Sequence, residues 1–239
     1  MIKFINLILF LGMIVMNYLA NALPINNKTT GQLSDALPNL FVPVGLTFSI
    51  WGIIYLLLAT YCVIQFRAAI QSVNETIGWL FSISCLLNAL WIITWHYQKL
   101  PLSLLVMAGL LASLIYINLL IRDLPVGIIK ASFGIYLGWI CIAAIANVTT
   151  LLVYYDWGGF GMKESTWAII LILTGALIVS AAIFQFKNPF IGLSAVWAFI
   201  GIFLKRQSDY RSIALTAIIA LIYISVITLL GFLRKKLQI

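Results

Sequence analysis

Two stripes of side chains hold the chemistry available to this sequence. Asn88, Trp91 and Trp95 follow one another at spacings of three and four, so on an α-helix they share a face. Tyr136, Trp139, Ala143 and Asn147 repeat that spacing further along the chain. Each stripe pairs tryptophan with asparagine, a flat apolar surface beside an amide that can donate and accept hydrogen bonds. Singly, either stripe could be ordinary helix packing. Together they describe an apolar, aromatic-walled cavity with a few amide groups, suited to a flat hydrophobic ligand with a polar edge.

The remaining functional groups offer little else. The six acidic residues, Asp35, Glu75, Asp123, Asp156, Glu164 and Asp209, all fall between apolar runs, and no Lys or Arg lies in the middle of one. Ionisable groups inside a bilayer mark proton relays, ion pathways and voltage sensors, so this distribution argues against those classes. The single histidine, His96, stands at the end of a run, where an interfacial or loop-facing role is expected rather than a ligand or base. Cys62, Cys85 and Cys141 lie inside apolar stretches without disulfide or metal spacing and read as small hydrophobes. No catalytic set and no metal site is expected.

These residues must be positioned by membrane helices. Of the 239 residues 64% are hydrophobic and 8% charged, against roughly 45–50% apolar and about 25% charged in soluble domains. A span of the hydrocarbon core takes about 20 apolar residues. The chain divides into runs at 4–22, 43–66, 77–97, 101–121, 129–154, 166–186, 189–204 and 212–233. We expect an all-α polytopic bundle of eight spans, with seven as the alternative because 189–204 is barely long enough to cross. The first run, with Lys3 before it and Ala20-Asn21-Ala22 at its end, is read as a retained helix, since more membrane helix follows it. Residues 24–39 form the longest loop, polar and solvated. The 14 Lys and Arg give a net charge of +8 but cluster at the ends of runs, as anchors and topology signals rather than a nucleic-acid surface. Arg234-Lys235-Lys236 places the C-terminus in the cytoplasm. Trp79, Trp157 and Trp167 lie near run ends as an aromatic belt, whereas Trp51, Trp91 and Trp139 lie deep. Gly134-x-x-x-Gly138, beside the second stripe, allows close helix approach.

Three motifs carry a resemblance to a known family. Trp51-Gly52-Ile53-Ile54-Tyr55 on the second run, Leu87-Asn88-Ala89-Leu90-Trp91 on the third, and Tyr136-Leu137-Gly138-Trp139 through Ala143 to Asn147 on the fifth resemble the TspO/translocator-protein family, the tryptophan-rich sensory proteins or peripheral-type benzodiazepine receptors. The resemblance covers about residues 1–155 and implies a five-helix bundle there, with residues 156–239 supplying three additional membrane helices. The family's proline two positions before the second-run tryptophan is Ser49 here.

The resemblance implies a cavity lined by Trp51, Asn88, Trp91, Trp139, Ala143 and Asn147, supported by Tyr55 and Tyr136, with residues 24–42 as its lid. It also implies binding of a hydrophobic small molecule, a tetrapyrrole or porphyrin first and a sterol-like lipid second, with transport or sensing attached. No cofactor is required beyond such a ligand. Transport of a neutral or lipophilic substrate through a path completed by the extra helices is the alternative. Catalysis on a tetrapyrrole or isoprenoid is the least favoured reading. The expected surroundings are a lipid bilayer, bacterial plasma membrane or alternatively a eukaryotic organelle, with a homodimer as a further association.

Overall fold

A computed structural model describes residues 1–22, 25–37 and 39–234. Pro24 and Pro38 of the first loop, and the Lys235-Lys236 pair used for orientation, lie outside the described residues. The described residues form nine α-helices and no strand: α1 (Ile2–Ala22), α2 (Thr30–Ala36), α3 (Ile50–Ile64), α4 (Gln71–His96), α5 (Leu100–Leu120), α6 (Ile128–Tyr154), α7 (Glu164–Gln185), α8 (Phe190–Arg206) and α9 (Arg211–Arg234). A 3₁₀ turn, Gly45–Ser49, leads into α3. Seven helices, all but α2 and α8 and with α3 taken together with the Gly45–Ser49 turn as Gly45–Ile64, are long and apolar enough to cross a membrane, and the protein is a multi-pass membrane protein. Their outer faces carry exposed Ile, Leu, Val and Phe, such as Ile8, Leu56, Leu105, Leu177 and Leu229, as a lipid-facing surface requires.

Side-chain hydrogen bonds fix the relative directions of the helices. Ser82 donates to Asn6 and Asn17 to Asn88, so α1 and α4 run parallel. Ser132 of α6 donates to Leu57 O of α3 and Ser194 of α8 to Ile135 O of α6, the first pair antiparallel with the Trp51–Trp139 contact, the second parallel with the Lys130–Lys187 contact. One end of the bundle therefore gathers the end of α1, α2, the turn before α3, the His96 end of α4, the α6–α7 connection and the Arg206 end of α8. The first loop, expected to act as a lid, belongs to this end.

Two expectations are corrected. The loop at 24–39 contains α2, which caps the end of α4 instead of lying free in solvent. Thr29 Oγ1 accepts from Gln32 N while Gln32 Oε1 accepts from Thr29 N, a reciprocal capping box. Thr30, Leu33 and Ser34 are then buried. The third span starts at Gln71, not 77, and the reason is pairing of its polar residues. Asn74 Oδ1 accepts from Tyr61 and Asn6, and Asn6 also donates to Gln65, so these side chains bind one another between α1, α3 and α4, with Asn74 Nδ2 left over.

The 189–204 run became α8, and its 17 residues reach only about 26 Å at ~1.5 Å per residue. It needs no greater length, because α6, α7 and α9 pack around it. Small residues make that possible. A Cβ on Gly138 of α6 would overlap the Ile191 carbonyl oxygen, one on Gly192 would overlap Thr228 of α9, and one on Gly201 would overlap Thr47. Gly134, the other member of the expected pair, faces the Asn188 amide at 2.6 Å from where its Cβ would stand. The pair does allow close approach, and the approaching partner is the start of α8.

Candidate functional site

At the lid end, the upper turns of α4 and α6 face each other across Trp51 and Phe48. Trp91 and Trp95 of α4 stack with ring centroids 5.7 Å apart and planes inclined by 24°. Trp139 of α6 meets Phe48 and Trp51 edge-on, at 5.9 and 6.3 Å. Together with Ala143 and Asn147 these rings enclose a cavity of about 40 Å³, covered by Thr30 and Ser34 of α2 and by Val42 and Pro43. No charged side chain lines it.

Three polar atoms in this lining are buried without a protein partner: the indole nitrogens of Trp91 and Trp139, and Asn147 Oδ1. The Asn147 amide is anchored at its other end, where Nδ2 donates to Ser103 Oγ at 3.1 Å. Buried indole N–H groups ordinarily find an acceptor, and a buried carbonyl oxygen a donor. Two donors and one acceptor are therefore left over among rings that supply only apolar contact.

Five of the eight expected site residues line this cavity: Trp51, Trp91, Trp139, Ala143 and Asn147. The other three lie elsewhere. Asn88, fully buried, accepts from Asn17 Nδ2 at 2.8 Å and donates to Tyr136 OH at 2.9 Å, tying α1, α4 and α6 together beneath the cavity. Tyr136 is thereby the partner of Asn88, with its ring edge-on to Trp51 at 5.9 Å. Tyr55 stacks on Trp51 at 5.5 Å and lines a different space, a groove of about 700 Å³ between α1 and α3. Thr30, Phe48 and Trp51 border both spaces and form the wall between them. The Tyr55 hydroxyl is buried without a protein partner.

The lid is held at both ends by residues whose part was not legible in the motifs. His96, fully buried, places Nδ1 3.1 Å from Ile25 O and Nε2 3.0 Å from Thr30 Oγ1. A carbonyl oxygen only accepts, so Nδ1 carries the hydrogen and Nε2 can take the threonine proton. His96 thus has the loop-facing role expected of it. Asn26 returns a bond to His96 O. At the far end Arg206 donates from Nη2 to Asn39 O at 2.7 Å and from Nε to Leu40 O at 3.1 Å. Lys205 approaches Asp35 at 3.3 Å, Val44 N donates to Gly201 O, and Trp197 Nε1 donates to Thr47 O. Lys205 and Arg206 are therefore more than anchors at a helix end. A signal for half of this clamp existed in the Thr29–Gln32 capping pattern; nothing in the sequence paired Arg206 with Asn39 and Leu40.

Lys130 also departs from a simple anchor. It is fully buried in the first turn of α6, with Nζ donating to the carbonyls of Arg122 and Lys187, and so ties α6 to the α7–α8 turn. In the nearby α5–α6 turn the exposed Asp123 pairs with Lys187 at 2.6 Å, and that hydrogen bond holds its carboxyl below the usual carboxylate range.

The sequence model of the family described as "TSPO-like protein" matches residues 3–230, running through the helices beyond residue 155 as well as those before it. No curated protein and no solved structure matches the chain.

Proposed function

Because the chain belongs to the TSPO-like family, we propose that the aromatic cavity under its lid binds a flat, largely apolar small molecule bearing both a hydrogen-bond acceptor and a donor on its edge. The observation that carries this reading is the set of unpartnered buried atoms, Trp91 Nε1, Trp139 Nε1 and Asn147 Oδ1, on walls that are otherwise mostly apolar. The indoles would donate to a carbonyl, ether or carboxyl oxygen. Asn147 Oδ1 would accept from an N–H or O–H. A tetrapyrrole, with ring N–H donors, acidic edges and a flat body, has this inventory, and a sterol has only part of it.

Size sets a further condition. A space of about 40 Å³ admits a few waters, whereas small-molecule pockets run to roughly 300–1,000 Å³. Binding therefore requires α2 to lift or Trp51 and Phe48 to swing. The second movement would join the cavity to the groove of about 700 Å³ that shares those residues. Trp51, Trp91, Trp139, Ala143 and Asn147 are then the contact residues. Tyr55 would meet the ligand only in the joined space, and Asn88 and Tyr136 brace the wall.

The test is a titration of detergent-purified protein with protoporphyrin IX, followed by the shift of its Soret band. Trp139→Phe keeps a ring and removes one N–H; Asn147→Leu removes the acceptor. Each should weaken binding about tenfold, the scale of one lost hydrogen bond to a desolvated partner, with the helical circular dichroism unchanged. Unaltered binding in both variants would remove this cavity as the site.

A further inference from the structure

A second space at the lid end is built differently from the first. It is a groove of about 530 Å³ between the last turns of α6, the α6–α7 connection, the first turns of α7 and the lid residues Asn39 to Phe41. The first cavity has no charge. This groove is lined by Asp156 and Glu164, and among the described residues neither carboxylate has an ion pair or a side-chain hydrogen bond. Lys163, the chain neighbour of Glu164, is not part of the lining.

Two aromatic rings line the groove beside the carboxylates, Trp157 next to Asp156 and Trp167 three residues after Glu164. Trp157 and Trp167 lie 5.0 Å apart, and Trp167 Nε1 donates to Gly159 O at 2.9 Å, which fixes the connection across the mouth of the groove. Asp156 (φ 50), Gly159 (φ 59), Phe160 (φ 53) and Gly161 (φ 77) are all left-handed, so the connection takes four such residues to fold back on α7. Indole faces attract cations through the ring quadrupole. Carboxylates do so by charge.

The independent observation comes from the lid. Asn39 is 8% exposed and lines the groove. Its Oδ1 accepts from Phe41 N and Val42 N at 3.2 and 3.1 Å, so the amide cannot turn without losing both bonds. That leaves Nδ2, a donor with no acceptor in the protein. The same residue's carbonyl is one of the two held by Arg206.

We infer that this groove binds an organic ammonium carried on an apolar body, with an oxygen acceptor beside the cation. Asp156, Glu164 and the two indoles take the ammonium, Asn39 Nδ2 donates to the acceptor, and Leu152, Leu171 and Phe41 cover the apolar part. This chemistry has two sources: the headgroup of a zwitterionic membrane lipid, at the depth where Trp157 and Trp167 form an interfacial belt, or a free amphiphilic ammonium. The site is separate from the cavity under the lid and does not depend on the function proposed for it.

The experiment uses the full chain in neutral maltoside micelles and isothermal titration with three probes: hexyltrimethylammonium, dihexanoyl phosphatidylcholine and dihexanoyl phosphatidylglycerol. The two ammonium probes should bind saturably and the glycerol lipid about tenfold more weakly, the loss expected when a cation is removed from an aromatic and carboxylate site. The double variant Asp156→Asn/Glu164→Gln should weaken both ammonium probes to the level of the glycerol lipid. Its fold should persist, because both side chains are exposed. Asn39→Asp keeps the Oδ1 bonds and replaces the donor by a charge, so it should weaken the phosphatidylcholine probe relative to hexyltrimethylammonium, which has no oxygen acceptor. Phosphatidylcholine tighter than hexyltrimethylammonium assigns the site to lipid headgroups; equal affinity assigns it to free ammonium compounds. Trp139→Phe should leave all three titrations unchanged. Equal binding of the glycerol lipid, or no effect of the double variant, would overturn the inference.

Discussion

Arg206→Ala tests whether α8 holds the lid. The guanidinium makes two bonds to lid carbonyls, Nη2 to Asn39 O at 2.7 Å and Nε to Leu40 O at 3.1 Å. A hydrogen bond from a charged donor contributes about 1.5–3 kcal/mol when its partner is left dry. Arg206 is only partly buried, so water can reach the freed carbonyls, and we take about 1 kcal/mol for each bond. Loss of about 2 kcal/mol raises the population of the open lid roughly 30-fold, at about 1.4 kcal/mol per decade. The assay is amide hydrogen exchange of α2, Thr30 to Ala36, with the middle of α4 as the internal reference. Exchange in α2 should quicken by about that factor while α4 stays constant. Arg206→Lys, with a single point donor in place of the fork, should fall between. Arg211→Ala, exposed at the start of α9, should change nothing. Exchange in α2 within about twofold of the parent would refute the clamp, since even one lost bond of ~1 kcal/mol predicts more than that.

Three other expectations follow from the packing. Gly138→Ala drives a methyl group into the Ile191 carbonyl, and because the obstacle is backbone the helices must part; a cost of about 2–3 kcal/mol, or roughly 5–10 °C in melting temperature, is expected, while Gly52→Ala, with nothing within 4 Å of the new carbon, should cost nothing measurable in the same melting experiment. Asn88→Leu strands Tyr136 OH and leaves Asn17 Nδ2 with only its bond to Met13 O and should lower thermal stability by about 1–3 kcal/mol, yet leave the Soret shift of bound protoporphyrin at its parental position, because Asn88 lies beneath the cavity. The Lys187 bond depresses the folded-state pKa of Asp123, so its stabilising contribution is complete above the unfolded carboxylate range and disappears as pH falls through the folded value; followed by carboxyl-carbon NMR, the Asp123 midpoint should rise in Lys187→Gln.

What the sequence made legible was set by the bilayer. Spans must be near 20 apolar residues long and must end at prolines and charges, so the runs at 101–121 and 212–233 coincide with α5 and α9 to within a residue or so. Polar residues misled where they were paired. Asn74 looks like the exit from a membrane until Asn6 and Tyr61 are seen to donate to its Oδ1, and the partners come from other helices that hydropathy along one segment does not contain. The stripes show the same limit in another form. Periodicity fixes the face a residue occupies but says nothing of depth: Asn88 and Trp95 share a face, yet seven residues separate them by about 10 Å along α4. Trp95 reaches the cavity, whereas Asn88 meets Asn17 of α1 two turns below.

The lid clamps and the small cavity together decide the sign of one further effect. Were the lid closed over bound ligand, the Arg206 bonds would belong to the bound state, and removing them would weaken affinity. A closed cavity of about 40 Å³ leaves no room for a molecule of tetrapyrrole size, so if entry lifts the lid the bound state lacks those bonds. The free protein then holds a binding-competent fraction reduced by the lid-docking energy, and its apparent dissociation constant is the intrinsic one divided by that fraction. Arg206→Ala should accordingly tighten protoporphyrin binding, by up to the same roughly 30-fold that it quickens α2 exchange, and the two factors should move together in Arg206→Lys. Faster exchange with unchanged affinity would mean that the ligand enters past Trp51 and Phe48 from the α1–α3 groove and leaves the lid in place.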